Sequence, residues 1–307
     1  MNEYDVLVVG GGAAGLSAAL VLSRARRRVA VVDDGRPRNA PASHMHGYLS
    51  RDGLPPAELL SLGREEVVGY GADLITGTVT TLGRGFRATL DDGTSILARR
   101  VLVTTGLRDQ IPDIPGLAER WGRDVLHCPY CHGYEVRDRA LGVLGGDQDA
   151  IAYALLIRQW SNDVILFTRG QPPTPEQHEA LRARAVGVES RPVRRVSVVE
   201  DALRGVELED GQVIPRSALF VRPTLAPNDA ILRGLGCERD ERGWTAHDAD
   251  GATSVAGLYV AGNASDPRAQ VITAAGQGSA AAIAINNDLV ADDARASVDR
   301  LRDRPRR

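Results

Sequence analysis

The stretch that most constrains this chain lies near its start, where the apolar run Asp5-Val6-Leu7-Val8-Val9 passes directly into Gly10-Gly11-Gly12-Ala13-Ala14-Gly15. A strand that is apolar at successive positions is buried on both faces, as in a parallel sheet. Leu16 to Arg27 reads as a helix with small residues toward that sheet, and Val29-Ala30-Val31-Val32 as a second strand ending at Asp33-Asp34. Strand, glycine turn, helix and strand in this order form the G-x-G-x-x-G fingerprint of a dinucleotide-binding fold. Gly10 makes the turn, Gly12 lets backbone approach a pyrophosphate, and Gly15 permits close helix–strand packing. The helix start at Ala13 and Ala14 offers amides and a positive dipole end to phosphates, while Asp33 can accept from a ribose hydroxyl.

The rest of the chain repeats this theme. A polar loop from Gly35 to Ser50 carries Arg36, Arg38, Asn39, His44 and His46, placed where the remainder of a long cofactor could be held. Pro55 to Tyr70 reads as an amphipathic helix and Ala72 to Leu97 as short strands, Val79 among them. Arg99 to Gly106 reads as a buried strand ending at Thr104-Thr105-Gly106. The proline-rich Ile111 to Gly116 reads as a linker. Leu141 to Leu144, a turn through Gly145-Gly146-Asp147, a helix from Ile151 to Trp160 and a strand from Val164 to Phe167 look like an internal duplication of the nucleotide fold. The copy is imperfect. Asp147 replaces the middle glycine, where a carboxylate repels a pyrophosphate, and Arg169 is the one cation expected for a 2′-phosphate. Arg222 to Asp229 reads as a return linker, Gly257 to Asn263 as a strand with a glycine turn, and Gln270 to Leu289 as a helix. The Arg/Asp-alternating tail from Asp292 is expected to fray.

Between the two nucleotide-fold segments stands His127-Cys128-Pro129-Tyr130-Cys131-His132-Gly133-Tyr134-Glu135. The C-x-x-C spacing can bring both sulfurs to one turn as a disulfide that opens and closes, Pro129 stiffens the turn, and His127 and His132 can move protons near neutral pH. The competing reading is half a zinc site, but Cys237, the only other cysteine, is single and distant, so no metal is expected. Either histidine could equally fill a structural hydrogen-bonding role.

Composition narrows the function classes. A length of 307 residues suits two domains, and 43% apolar residues suffice for real cores. Aromatics at 4% and a net charge of −3 argue against a nucleic-acid partner. No uncharged apolar run reaches the ~18 residues of a membrane span. The acidic start is unlike a signal peptide, and three cysteines fit a cytosolic redox protein, so a cytoplasmic location is expected.

The order of these parts resembles the low-molecular-weight thioredoxin reductases across nearly the whole chain. The matching features are Gly10-x-Gly12-x-x-Gly15, Thr105-Gly106 followed by Ile114-Pro115-Gly116, the dithiol before the second nucleotide fold, and Gly262-Asn263 followed by Gln270-Val271-Ile272-Thr273-Ala274-Ala275. The resemblance implies an α/β fold of two three-layer Rossmann-like domains, with FAD in a discontinuous first domain (residues 1–113 and 244–307). The second domain (117–241) would carry the C-x-x-C and a degraded NADPH site. It implies a cofactor set of Gly10, Gly12, Ala13, Ala14, Gly15, Asp33, Asp34, Arg38, Asn39, His46, Val79, Thr105, Gly106, Gly262, Asn263, Gln270 and Val271. Asn263 replaces a family Asp and keeps an acceptor while adding a donor. A homodimer is also implied.

A standard reductase has Asp directly after its second cysteine, where His132 stands here. The Cys-Pro-Tyr-Cys-His-Gly-Tyr-Glu form resembles instead the FAD-dependent dithiol oxidases that close disulfides in gliotoxin- and holomycin-type natural products. The resemblance implies that Cys128 meets a small-molecule dithiol, that Cys131 lies nearer the flavin, and that His132, or else His127, is the base. The alternatives are an NADPH-dependent reductase of a protein disulfide and a non-enzymatic flavin redox sensor.

Overall fold

The computed structural model describes residues 2–145 and 148–303. From the N-terminus the chain forms β1 (Asn2–Val9), α1 (Ala13–Arg24), β2 (Val29–Asp33), α2 (Pro56–Gly69), β3 (Asp73–Thr76), β4 (Val79–Leu82), β5 (Arg87–Leu90), β6 (Ser95–Val103) and β7 (Leu107–Gln110). There follow β8 (Val125–Leu126), α3 (Pro129–His132), β9 (Leu141–Leu144), α4 (Gln148–Ile157), β10 (Val164–Phe167), α5 (Pro175–Ala183) and β11 (Val186–Glu189). Last come β12 (Val193–Val199), β13 (Ala202–Leu208), β14 (Val213–Pro215), β15 (Ala218–Val221), β16 (Thr224–Pro227), α6 (Ala230–Gly234), β17 (Leu258–Val260) and α7 (Val271–Arg302).

These elements divide into two compact units, residues 1–40, 56–108 and 226–307 in the first, and residues 41–55 and 109–225 in the second. The loop 41–55 groups with the second unit, the first crossing falls after 108 where the resemblance implied 113, and the return to the first unit falls at 226 where it implied 244. Linker strands β7 and β16, which carry the chain between units, pair as a two-stranded sheet.

In the first unit, β3-β2-β1-β6 run parallel, β17 extends β6 at its carboxyl end, and the β4–β5 hairpin pairs with the start of β6. Burial on both faces of β1 explains why Val6 to Val9 are apolar at successive positions. Val6 and Val8 pack with α1 and α7 on one face, while Tyr4, Leu7 and Val9 pack on the other. In the second unit, β11-β10-β9-β15-β8 form an all-parallel sheet, so both units are Rossmann-like, and the antiparallel β12-β13-β14 layer packs beside it.

Among the described residues, the tail expected to fray from Asp292 is helical to Arg302. Helix α7 continues to that point without interruption, with Asp288, Asp292 and Asp293 lying over arginines of β6 and of the turn after α1. Arg100 binds Asp288 at 2.6 Å and also Asp292, Arg99 binds Asp293 at 2.6 Å, and Arg27 binds Asp293 at 2.8 Å. Among the described residues, no helix is long and apolar enough to cross a membrane.

Candidate active site

Two chemically distinct places emerge, one in each unit. In the first unit, each glycine of the opening motif is held for a separate reason. Gly10 has φ +108°, and a Cβ there would lie 2.5 Å from the Thr104 carbonyl oxygen. A Cβ on Gly15 would lie 1.9 Å from the Gly10 carbonyl oxygen, so α1 rests directly on the β1 turn. A Cβ on Gly12, the residue preceding α1, would meet nothing within 4 Å, and no side chain caps the helix. The first turn holds no acid. Amides at Ala13 and Ala14 therefore lack helical acceptors at the positive end of a 12-residue helix, which is what an anionic pyrophosphate requires. The residues present fit that group.

Sequence reasoning missed Gly11. Its amide donates to Asp33 Oδ1 at 2.9 Å, and Arg64 lies 3.3 Å from Asp33 Oδ2, so this carboxylate is oriented by two partners and has lone pairs left for a ribose. Asp34 is engaged by Arg36 at 2.7 Å. Val79 is buried in the core at the start of β4. The Thr105 hydroxyl donates to the Asn228 carbonyl at 2.6 Å, and Asn228 returns bonds to Thr105 and Gly106, tying the return linker to the end of β6.

Gly262, with φ +68°, brings the C-terminal segment against Ala14. Asn263 donates to the carbonyls of Asp266 and Ala269, at 2.9 and 3.0 Å, and receives Arg38 at 3.4 Å. An aspartate at that position would set a carboxylate against two carbonyl oxygens, which explains the amide. Gln270 precedes the first helical residue, Val271, at a second helix start with no side-chain cap. Asn39 is half-buried on the loop that follows β2.

In the second unit, Cys128 and Cys131 are joined as a disulfide with Cα atoms 5.2 Å apart. Cys128 precedes the single-turn α3, Pro129 is its first helical residue, and the Cys131 amide donates to Cys128 Sγ at 3.1 Å. Gly133 ends the turn where a Cβ would lie 2.5 Å from the Pro129 oxygen and 2.8 Å from Trp160 Nε1. Tyr130 stands edge-on to Trp160 at 5.6 Å, and Tyr130 and Tyr134 are each 64% exposed beside the disulfide. His127 stacks on Trp121 at 6.5 Å, and its carbonyl accepts from the Tyr153 hydroxyl.

His132 is half-buried. Burial pushes its imidazole below the ordinary value, with Glu135 acting in the opposite sense and His46 in the same sense. His46, expected in the cofactor set, is engaged inside the second unit, with Nδ1 3.3 Å from Asp52 and Nε2 3.5 Å from Glu135. Glu135 ended the quoted motif but carried no assigned role, and nothing in the sequence linked it to His46. Cys237 is a free, half-buried thiol packed against the first unit's core, and burial raises its pKa. Among the described residues, no cluster of His, Cys, Asp and Glu could hold a metal.

The imperfect second fingerprint is described only in part, since Gly146 and Asp147 lie outside the described residues. At the carboxyl ends of β9, β10 and β15 there is a cavity of ≈270 Å³ lined by Leu144, Gly145, Arg169, Gln171 and Arg222. This is the switch point where parallel sheets take ligands. Two arginines line it, not one as expected, but Arg222 already pairs with Asp149 at 3.0 Å.

A model of the pyridine nucleotide-disulphide oxidoreductase family matches residues 4–278. The chain is 31% identical to thioredoxin reductase sirT of Leptosphaeria maculans, with 92% of this chain and 93% of that protein aligned. Among solved structures, HlmI is 53% identical, with a TM-score of 0.93 over 96% of this chain and 95% of its own. A putative thioredoxin reductase TrxB from Bacillus anthracis is 33% identical, with a TM-score of 0.90 over 94% of this chain and 99% of its own. The glycine motif on β1–α1, the disulfide on α3 and these likenesses agree: this protein belongs to the pyridine nucleotide-disulphide oxidoreductases, as a thioredoxin reductase-like, FAD-dependent enzyme.

Proposed function

We propose that this enzyme oxidises a small-molecule dithiol to a disulfide, using the Cys128–Cys131 pair as the exchanging group. The observation that carries the reading is the dithiol itself, half-buried and followed by a histidine whose burial favours the neutral, proton-accepting form. The exposed Tyr130 and Tyr134 offer flat apolar surface to a compact substrate. The resemblance of the Cys-Pro-Tyr-Cys-His-Gly-Tyr-Glu segment to dithiol oxidases supports the same direction.

His132 takes the proton of one substrate thiol, raising the thiolate fraction of a group whose ordinary pKa is ~8.5. That thiolate forms a bond to Cys128 Sγ, the Cys128–Cys131 bond breaks, and Cys131 leaves as a thiolate. The second substrate thiol, once deprotonated, attacks the substrate sulfur of the mixed disulfide and releases Cys128. Two electrons have then passed from substrate to cysteines. FAD, when bound, supplies the two-electron acceptor that lets the disulfide re-form, with oxygen as final acceptor and hydrogen peroxide as its product. Gly10, Gly12, Ala13, Ala14 and Gly15 would hold its pyrophosphate and Asp33 its ribose, with Gly262, Asn263, Gln270 and Val271 completing the site. A homodimer belongs to the same reading, and sedimentation tests it.

A second reading, an NADPH-dependent disulfide reductase, is favoured by the cavity between Arg169 and Arg222. The cysteine chemistry common to both readings is tested by Cys128→Ser and Cys131→Ser. Each variant should keep its flavin absorbance and lose dithiol turnover by at least ~100-fold. Normal turnover by either would make the C-x-x-C structural.

A further inference from the structure

The loop 41–55 lies far from the cysteines in sequence, yet it groups with their unit and is held by more than chance contact. Met45 is buried and its backbone pairs with Leu54 and Gly53, while a Cβ on Gly122 would lie 2.8 Å from Pro41. Inside this loop the Asp52 carboxylate accepts the Gly47 amide at 2.8 Å and faces His46 Nδ1 at 3.3 Å. The other ring nitrogen of His46 faces Glu135 at 3.5 Å. Each ring nitrogen of His46 thus faces a carboxylate, and the ring bridges Asp52 and Glu135.

We propose that His46 is a positioning residue of the dithiol centre: anchored by Asp52, it engages the Glu135 carboxylate and so shares with His132 a negative charge that would otherwise act on His132 alone. The proposal rests on the reading of His132 as the base. Among the described residues, Glu135 and His46 are the charged or titratable groups that act on His132, and Asp52 and Glu135 are those that face His46. An unshared Glu135 favours the imidazolium form of His132, which cannot accept a proton from a thiol. With His46 between the two carboxylates, that pull is reduced and the base stays available at lower pH.

The two partners therefore have opposite signatures. The test is anaerobic reduction of Cys128–Cys131 by dithiothreitol in flavin-loaded protein, stopped by acid, with the freed thiols alkylated and counted by mass, between about pH 5 and 9. His46→Gln should move the acid limb of the exchange rate to higher pH by roughly half a unit or more. Glu135→Gln should move it to lower pH by a comparable amount. A His46→Gln rate that falls at every pH with its limb unmoved, or moved down, would mean a merely structural role and overturn the proposal. Displacement of the limb in His132→Gln to the ~8.5 pKa of the attacking thiol, with His46→Gln unshifted, overturns the His46 role and leaves the base reading standing. A limb left at the parent's position in His132→Gln overturns both.

Discussion

The Gly11 amide donates to Asp33 at 2.9 Å, and the Cβ that any other residue would bring to Gly11 lies 2.9 Å from the Asp33 Cβ. The loop after β1 is therefore pinned to the end of β2 before any cofactor arrives. Gly12, one residue on, has open space where a side chain would stand. Its φ of −80° suits any residue and its surroundings are open.

This contrast separates binding from folding. Gly12→Val should give a folded, colourless protein with an apoprotein melting temperature close to that of the parent, because the new side chain occupies only the space a pyrophosphate needs. Gly15→Ala, which drives a methyl into the Gly10 carbonyl, should instead cost about 3 kcal/mol or more and unfold the first unit. Flavin absorbance and thermal melts of the two variants distinguish these outcomes. Yellow Gly12→Val protein with stoichiometric flavin would show that the fingerprint has been misread.

Arg100 carries the second prediction. Its guanidinium binds Asp288 and Asp292 on α7 and is itself largely buried. Arg100→Met should cost about 2 kcal/mol, less than a fully buried pair because both carboxylates are partly solvated. Amide exchange over residues 288–302 should lose its protection before the rest of the unit. Arginine bonds hold Asp288, Asp292 and Asp293 below the ordinary carboxylate value. This contribution is thus full above that ordinary value and lost as pH falls through the lowered one. Unchanged exchange in the variant would mean the helix stands on its own propensity.

The third prediction follows from His132. Burial depresses its pKa from 6.5, so the unfolded chain binds a proton that the folded chain resists. The corresponding stability is present above the unfolded value and declines as pH falls below ~6.5, and His132→Gln should remove that part of the decline. Denaturant titrations of the two proteins at a series of pH values measure it. Parallel stability curves through that range would show that His132 is no more buried than an ordinary surface histidine.

The division between what was legible and what was not follows the range of each interaction. The β1–α1–β2 unit, the C-x-x-C turn and the second β–α–β were readable because their signals are local: apolar runs, glycine spacing, a proline at a helix start. The tail was misjudged because its determinants are not local. Asp292 and Asp293 look like a solvated charge run until Arg99 and Arg100 are placed beneath them. His46 was grouped with the cofactor because it follows the ribose acid in sequence, whereas its ring partners include Glu135. Arg222 was read as linker, and only the parallel pairing of β15 with β9 brings it to the cavity that also holds Arg169.

The remaining prediction concerns where electrons enter. A dinucleotide at the second fold would have to set its pyrophosphate against the turn after β9, where the sequence carries Asp147 in place of glycine. Like charges ~4 Å apart repel by roughly 4 kcal/mol at an effective dielectric of about 20, which weakens binding by about three orders of magnitude if uncompensated. Arg169 and Arg222 oppose this, but the Arg222 charge is already shared with Asp149, and an exposed pair returns only about 0–1 kcal/mol. Repulsion wins. In anaerobic titrations a small dithiol should therefore bleach the flavin while NADPH does so poorly, and aerobic dithiol turnover should consume oxygen. Arg169→Ala and Arg222→Ala should leave that turnover within about 2-fold of the parent. Rapid bleaching by micromolar NADPH, lost in either arginine variant, would establish the cavity as a working nucleotide site and reverse the proposed direction of electron flow.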